Sequence, residues 1–113
     1  MKKVLVVLFV SLFGFAVQAQ EKKNKNAKAD VEVKGNCEMC KKRIEKAAYS
    51  VAGVKSAVWH SDDQQLHLVF NEQKCSKTDV EKAIAKAGHD TKDIKATDVD
   101  YENLHGCCQY DRE

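Results

Sequence analysis

The chain has 113 residues, enough for one modest domain. It carries 19 basic and 17 acidic residues, a net charge of +2, with no proline and five cysteines. That balance excludes the strongly basic surface of a nucleic-acid binder, and the odd cysteine count excludes a scaffold made only of internal disulfides.

The first nineteen residues read as a secretory signal peptide. Met1-Lys2-Lys3 is a positive start, Val4 to Val17 is an apolar run, and Val17-Gln18-Ala19 is a small-x-small cleavage site. The run of 14 residues falls short of the roughly 20 that span a bilayer. Cleavage before Gln20 predicts an exported, periplasmic or otherwise extracytoplasmic chain without a membrane span. It leaves 17 basic against 17 acidic residues. The charge is uneven: residues 20–46 hold nine basic and five acidic side chains, and residues 97–113 hold one basic and five acidic. Opposite charge predicts that the tail docks near the basic start, at Lys41, Lys42 and Arg43, or recruits a basic partner.

Residues 20–29 lack apolar periodicity and read as a solvated leader. Val31 and Val33 alternate with charged residues, which predicts a strand over 30–35. Gly35-Asn36 breaks it. Ile44, Ala47, Ala48 and Val51 recur at helical spacing, and Gly53 ends that helix. Residues 54–61 read as a second strand with Ala57 and Trp59 on one face. After the polar turn 62–64, Leu66, Leu68 and Phe70 alternate in a third. Ser76 and Asp79 form a capping box for a second helix, whose apolar face is Val80, Ala83, Ile84 and Ala87 and whose end is Gly88. A weakly apolar stretch, 89–97, reads as a fourth strand. Strand, helix, strand, strand, helix, strand is the order of the α+β, ferredoxin-like βαββαβ sandwich, an antiparallel sheet with two helices on one face. Val58, His60, His67 and Val69 would then face solvent. The expected organisation is signal peptide 1–19, leader 20–29, a self-contained domain over 30–97, and a cysteine-containing tail over 98–113.

The chemistry centres on Gly35-Asn36-Cys37-Glu38-Met39-Cys40, followed by Lys41-Lys42-Arg43. The cysteine pair lies where the first strand hands over to the first helix. Unpaired backbone N–H groups and the basic run favour thiolates there. Thiolates suit Cu(I) and similar soft ions, and two suffice for linear coordination, whereas Zn(II) wants four ligands.

Val31-x-Val33-x-Gly35, Cys37-x-x-Cys40, Ile44-Glu45-Lys46-Ala47, Gly53-Val54, Leu66-x-Leu68-x-Phe70 and Val80-x-x-Ala83-Ile84-x-x-Ala87-Gly88 together resemble the heavy-metal-associated domain family, of the exported copper-chaperone and mercury-scavenger type. The resemblance spans residues 30–97. It implies a non-enzymatic metal carrier, Cu(I) as the first cargo with Hg(II), Ag(I) or Zn(II) as others, and a metal-transport or efflux protein as partner to a monomer. Two departures stand out. Gly35 replaces the methionine that usually precedes the pair, and Gly88-His89 replaces the usual Gly-Tyr. The resemblance thereby places His89 near Cys37 and Cys40 as a further candidate ligand.

Cys107 and Cys108 lie beyond the family's usual core. Adjacent cysteines rarely pair with each other because the ring is strained, so they are candidate additional ligands, with Tyr101, Leu104 and Tyr110 docking the tail. Cys75, just before the second helix, reads as a non-ligand, and His60 and His67 as exposed strand residues. The alternative function is a thiol-disulfide redox protein using Cys37/Cys40 and Cys107/Cys108. The absence of proline counts against it, since the thioredoxin-like site needs a cis-proline.

Overall fold

The computed structural model describes residues 23–112. The expected signal peptide, Met1 to Ala19, lies outside them. The elements are β1 (Ala27–Glu32), α1 (Glu38–Tyr49), β2 (Val54–His60), β3 (Gln65–Phe70), α2 (Lys77–Lys86), a short α3 (Asp98–Glu102) and a 3-10 turn (Gly106–Cys108). The strands form an antiparallel sheet in the order β1-β3-β2, the ferredoxin-like arrangement.

Alternation sorts the two sheet faces. Val31, Ala57, Trp59, Leu66, Leu68 and Phe70 point into the core, and register places Val31 and Trp59 on either side of Leu66. Val58, His60 and His67 are exposed on the other face. Cys40, Ile44 and Ala48 of α1, with Val80 and Ile84 of α2, close the core from one side. Ser76 and Asp79 form the expected capping box: the Asp79 N–H donates to Ser76 Oγ at 3.2 Å, and the Ser76 N–H to Asp79 Oδ2 at 2.9 Å.

Three expectations about boundaries change. β1 begins at Ala27, inside the expected leader, and ends at Glu32. Ala27 and Ala29 pair with Phe70 and Leu68 on the core side, while Lys28 and Asp30 face out. These small apolar residues carry the alternation that the polar composition of the segment hides. The segment 89–97 is not a fourth strand, and pairs only through an isolated bridge, Val33–Thr91. Its side chains bend it instead. Thr91 Oγ1 accepts from the Ile94 N–H at 3.0 Å and Asp90 Oδ1 from the Ala96 N–H at 2.7 Å, local bonds that compete with a ladder. Finally, the core does not stop at residue 97, because Leu104, Cys108 and Tyr110 are buried within it.

Candidate metal centre

Cys37 is the N-cap of α1, in an extended conformation, and its carbonyl accepts from the Lys41 N–H at 3.0 Å. Cys40 sits one turn in, fully buried beneath the loop. That spacing brings their sulfurs to 3.5 Å. The 3-10 turn of the tail lies over the same helix start. It brings Cys107 Sγ to 3.6 Å and Cys108 Sγ to 3.8 Å from Cys37 Sγ, with 3.9 Å between Cys107 and Cys108. All five cysteines are free thiols. Among the described residues, Cys37, Cys40 and Cys108 are the one group of three or more metal-ligating side chains whose donor atoms all lie within 4.8 Å of one another. Cys107, exposed, stands outside that trio and touches it through Cys37 and Cys108. Its other sulfur neighbour is Met39 Sδ, at 3.7 Å.

Cys37, Cys107 and Cys108 are not electrostatically alike. The Cys40 backbone N–H bonds to Cys37 and outweighs the effect of burial, and the hydrogen bonds with the neighbouring thiols lower it further, so the Cys37 pKa falls to about 7. Burial pushes Cys108 well up, reinforced by its bonds to Cys40 and Cys37. Cys107 is raised by its hydrogen bond with Cys37, and then by burial. Cys37, lowered where Cys107 and Cys108 are raised, is the thiol around which the others are arranged. The basic run contributes less than the sequence implies. Lys41 Nζ is held by the Trp59 carbonyl at 2.9 Å and by Glu45 at 3.0 Å, and Arg43 Nε by the Ala87 carbonyl at 3.0 Å.

His89 is buried but does not join the sulfur group. Its Nδ1 donates to the Lys34 carbonyl at 2.7 Å, its ring stacks on Tyr110 with centroids 5.6 Å apart, and its Nε2 is buried without a partner. Burial lowers its pKa, which favours the neutral ring. Cys75 packs beside Gly53 with its pKa raised by burial, and takes no part in the trio. His67 pairs with Asp30 on the open face of the sheet, at 2.6 Å.

The tail is held by Tyr110, expected to dock it, together with Arg112 and Asp90, which the sequence did not single out. Arg112 forks onto the buried Asp90, with Nε at 3.0 Å from Oδ2 and Nη2 at 2.9 Å from Oδ1, and Nη2 also donates to the Ala96 carbonyl at 2.7 Å. Burial opposes ionisation of Asp90, but Arg112 and the Ala96 N–H overcome it and hold the carboxyl below its ordinary range. The Tyr110 hydroxyl accepts from the Asp90 N–H at 2.7 Å and donates to the Gly88 carbonyl at 2.9 Å. Among the described residues, no ion pair joins the tail to Lys41, Lys42 or Arg43. The expected charge docking is replaced by this latch and by apolar burial. Gly88 makes the fit possible: at φ 106, a Cβ there would lie 2.7 Å from the Asp100 carbonyl oxygen and 2.9 Å from Leu104.

Gly35, where the resemblance expects a methionine to come before the cysteines, is also explained. A Cβ on it would sit 3.1 Å from both Cys40 Cβ and the Trp59 ring. Trp59 occupies the space beneath the loop, and its Nε1–H donates to the Val33 carbonyl at 3.0 Å.

A ferredoxin-like sheet with clustered thiols at the start of its first helix defines a metallochaperone-like metal-binding domain. No family model matches the chain. The copper chaperone CopZ of Staphylococcus epidermidis is 30% identical over 63 residues, covering 55% of this chain and 93% of that protein. Among solved structures, the N-terminal domain of a potential copper-translocating P-type ATPase from Bacillus subtilis, in its Cu(I)-loaded state, is 28% identical with a TM-score of 0.56, over 59% of this chain and 85% of that one. Oxidised MerP from Ralstonia metallidurans is 26% identical with a TM-score of 0.51, over 58% and 96%. The chain belongs to the heavy-metal-associated domain family.

Proposed function

We propose that this protein is an exported carrier of a soft metal ion, Cu(I) in the first place and Hg(II) or Ag(I) by the same chemistry. It holds the ion through Cys37 and Cys40 and passes it on by thiolate exchange to a metal-transport protein. The observation that carries the reading is the close, free sulfur pair at the start of α1, with Cys37 already inclined to the thiolate. The relatives support the choice of ion, since one is named a copper chaperone and a solved one is loaded with Cu(I). Zinc fits less well. It favours a closed tetrahedron of four ligands, and Cys107 stands outside the compact trio.

Export rests on the signal peptide expected over Met1 to Ala19. Among the described residues, no helix is long and apolar enough to cross a membrane.

The test is an anaerobic Cu(I) titration of the reduced chain against a competing chelator. Cys37→Ser with Cys40→Ser lowers affinity about a thousandfold or more, roughly 4 kcal/mol. A double variant that binds Cu(I) as tightly as the wild type overturns the reading.

A further inference from the structure

Cys37 touches all three other sulfurs of the cluster, at 3.5 Å to Cys40, 3.6 Å to Cys107 and 3.8 Å to Cys108. The other three divide by depth. Cys40 and Cys108 are 0% and 1% exposed, whereas Cys107 is at the surface beside Met39, itself 49% exposed. A sulfur pair open to solvent and a buried sulfur trio therefore share one member. We propose that the tail cysteines divide the work of the metal site: the ion arrives on the outer pair Cys37 and Cys107, and is then retained on the inner trio Cys37, Cys40 and Cys108. The proposal rests on the soft-metal reading above and adds to it a three-sulfur resting site and an entry ligand.

The spacing of the sulfurs supports three-coordination. With a metal–thiolate bond of about 2.3 Å, the zinc value, sulfurs on opposite sides of a linear ion stand about 4.6 Å apart and those of a trigonal ion about 4.0 Å apart. The Cys37 distances to Cys40 and Cys108, 3.5 and 3.8 Å, lie below both figures and closer to the trigonal one, so the sulfurs part less to take an ion three-coordinate than linear. The exposed end is soft as well. The Met39 thioether beside Cys107 is a ligand type that favours Cu(I) over harder ions.

The transfer involves no change of oxidation state. The Cys107 and Cys37 sulfurs each form a bond to Cu(I) as bonds to the donor's thiolates break. The protons lost from these thiols are taken up by the released donor thiolates through solvent. Inside the site, Cys40 and Cys108 then bond to the ion as the Cys107 bond breaks. Cys37 stays bonded throughout. Of the two protons that the Cys40 and Cys108 thiols give up, one reprotonates Cys107, exposed again, and the other goes to solvent. Release reverses the order.

The tail sulfurs are held by the docked tail itself. Cys108 is part of the core, and the Asn36 side-chain amide donates to the Cys107 carbonyl at 3.4 Å. The 3-10 turn is anchored downstream by Tyr110 and Arg112. The two cysteines are adjacent in sequence, yet one is fixed inward and the other outward.

The experiment uses the whole reduced chain and Cu(I) under anaerobic conditions, with X-ray absorption to count sulfur ligands and stopped-flow exchange with a chelator to time loading. The wild type shows three sulfurs. Cys108→Ala drops the count to two and lowers affinity about tenfold or more, at least the scale on which even outer-shell partners affect metal sites. Alanine is chosen because it keeps the buried position apolar, and amide NMR of the apo variant checks the fold. Cys108→Ser is the second variant should alanine disturb packing. Cys107→Ser keeps three sulfurs and affinity within about threefold, but slows loading about tenfold. Two sulfurs in the wild type, wild-type loading in Cys107→Ser, or equal losses in the two single variants overturns the division of labour while leaving the carrier function standing. A wild type that binds no Cu(I) overturns both.

Discussion

Two segments bring cysteines to one place, and they are held there by different means. The loop carrying Cys37 and Cys40 is fixed by regular structure. β1 delivers it, α1 begins on it, and Trp59 fills the space beneath it. The tail carrying Cys107 and Cys108 has little regular structure, a five-residue helix and a single 3-10 turn. It is held by side chains instead: the Arg112 fork on Asp90, the Tyr110 hydroxyl between two backbone groups, and Leu104 against Gly88. A site can thus be half built by a fold that many chains share and half by a latch that depends on a few side chains. The second half is easier to lose.

The sharpest way to break the comparison is to remove the tail. A chain ending at Thr97 loses Leu104, Cys108 and Tyr110 from the core. Burial of a leucine or a comparable large side chain contributes about 1.5–3 kcal/mol, and the whole stability of such a domain is about 5–15 kcal/mol. The truncated chain is expected to lose dispersed amide resonances or to melt at a much lower temperature. Well-dispersed spectra and unchanged melting would show that residues 30–97 stand alone, as their periodicity implies.

A smaller effect comes from Arg112→Ala, which leaves the buried Asp90 carboxylate without its partner. The expected loss at neutral pH is about 3 kcal/mol, read by urea denaturation. Its pH dependence has a definite sign. Asp90 has a folded pKa below its unfolded one, so its contribution is present above the ordinary carboxylate range and is lost as pH falls through the folded value. The gap between wild type and variant therefore narrows in acid. A gap that is constant with pH would remove Asp90 from the latch.

The smallest expected change is Tyr110→Phe. The ring keeps its stacking on His89 while the buried Asp90 N–H loses its acceptor, at about 1–2 kcal/mol. Thermal unfolding measures it. An unchanged melting temperature would mean that the ring alone fixes the tail.

The same contrast explains what the sequence disclosed. Alternation in Leu66, Leu68 and Phe70, the Ser76–Asp79 cap and the Cys-x-x-Cys spacing are local patterns, and each survives in the structure. β1 begins three residues before the alternation becomes visible, because Ala27 and Ala29 have too little apolar weight to stand out among lysines. The fourth strand failed because Asp90 and Thr91 fold their own backbone. The aromatics around Cys107 and Cys108 pointed to a docked tail, but Arg112 and Asp90 are 22 residues apart with no local pattern to join them. His89 was drawn toward the cysteines by its place after Gly88, yet the Lys34 carbonyl and Tyr110 hold it apart from the trio.

The contact between Gly35, Cys40 and Trp59 has an optical consequence. Trp59 is the chain's single tryptophan, and its ring and Cys40 Cβ both lie 3.1 Å from one point beside Gly35. The indole is screened from solvent and packs against the metal loop at Gly35. Its emission is therefore expected to respond to changes at the metal loop, with no second tryptophan to dilute the signal. The aromatic that crowds Gly35 thus makes the chain's one indole a natural probe for what enters the site.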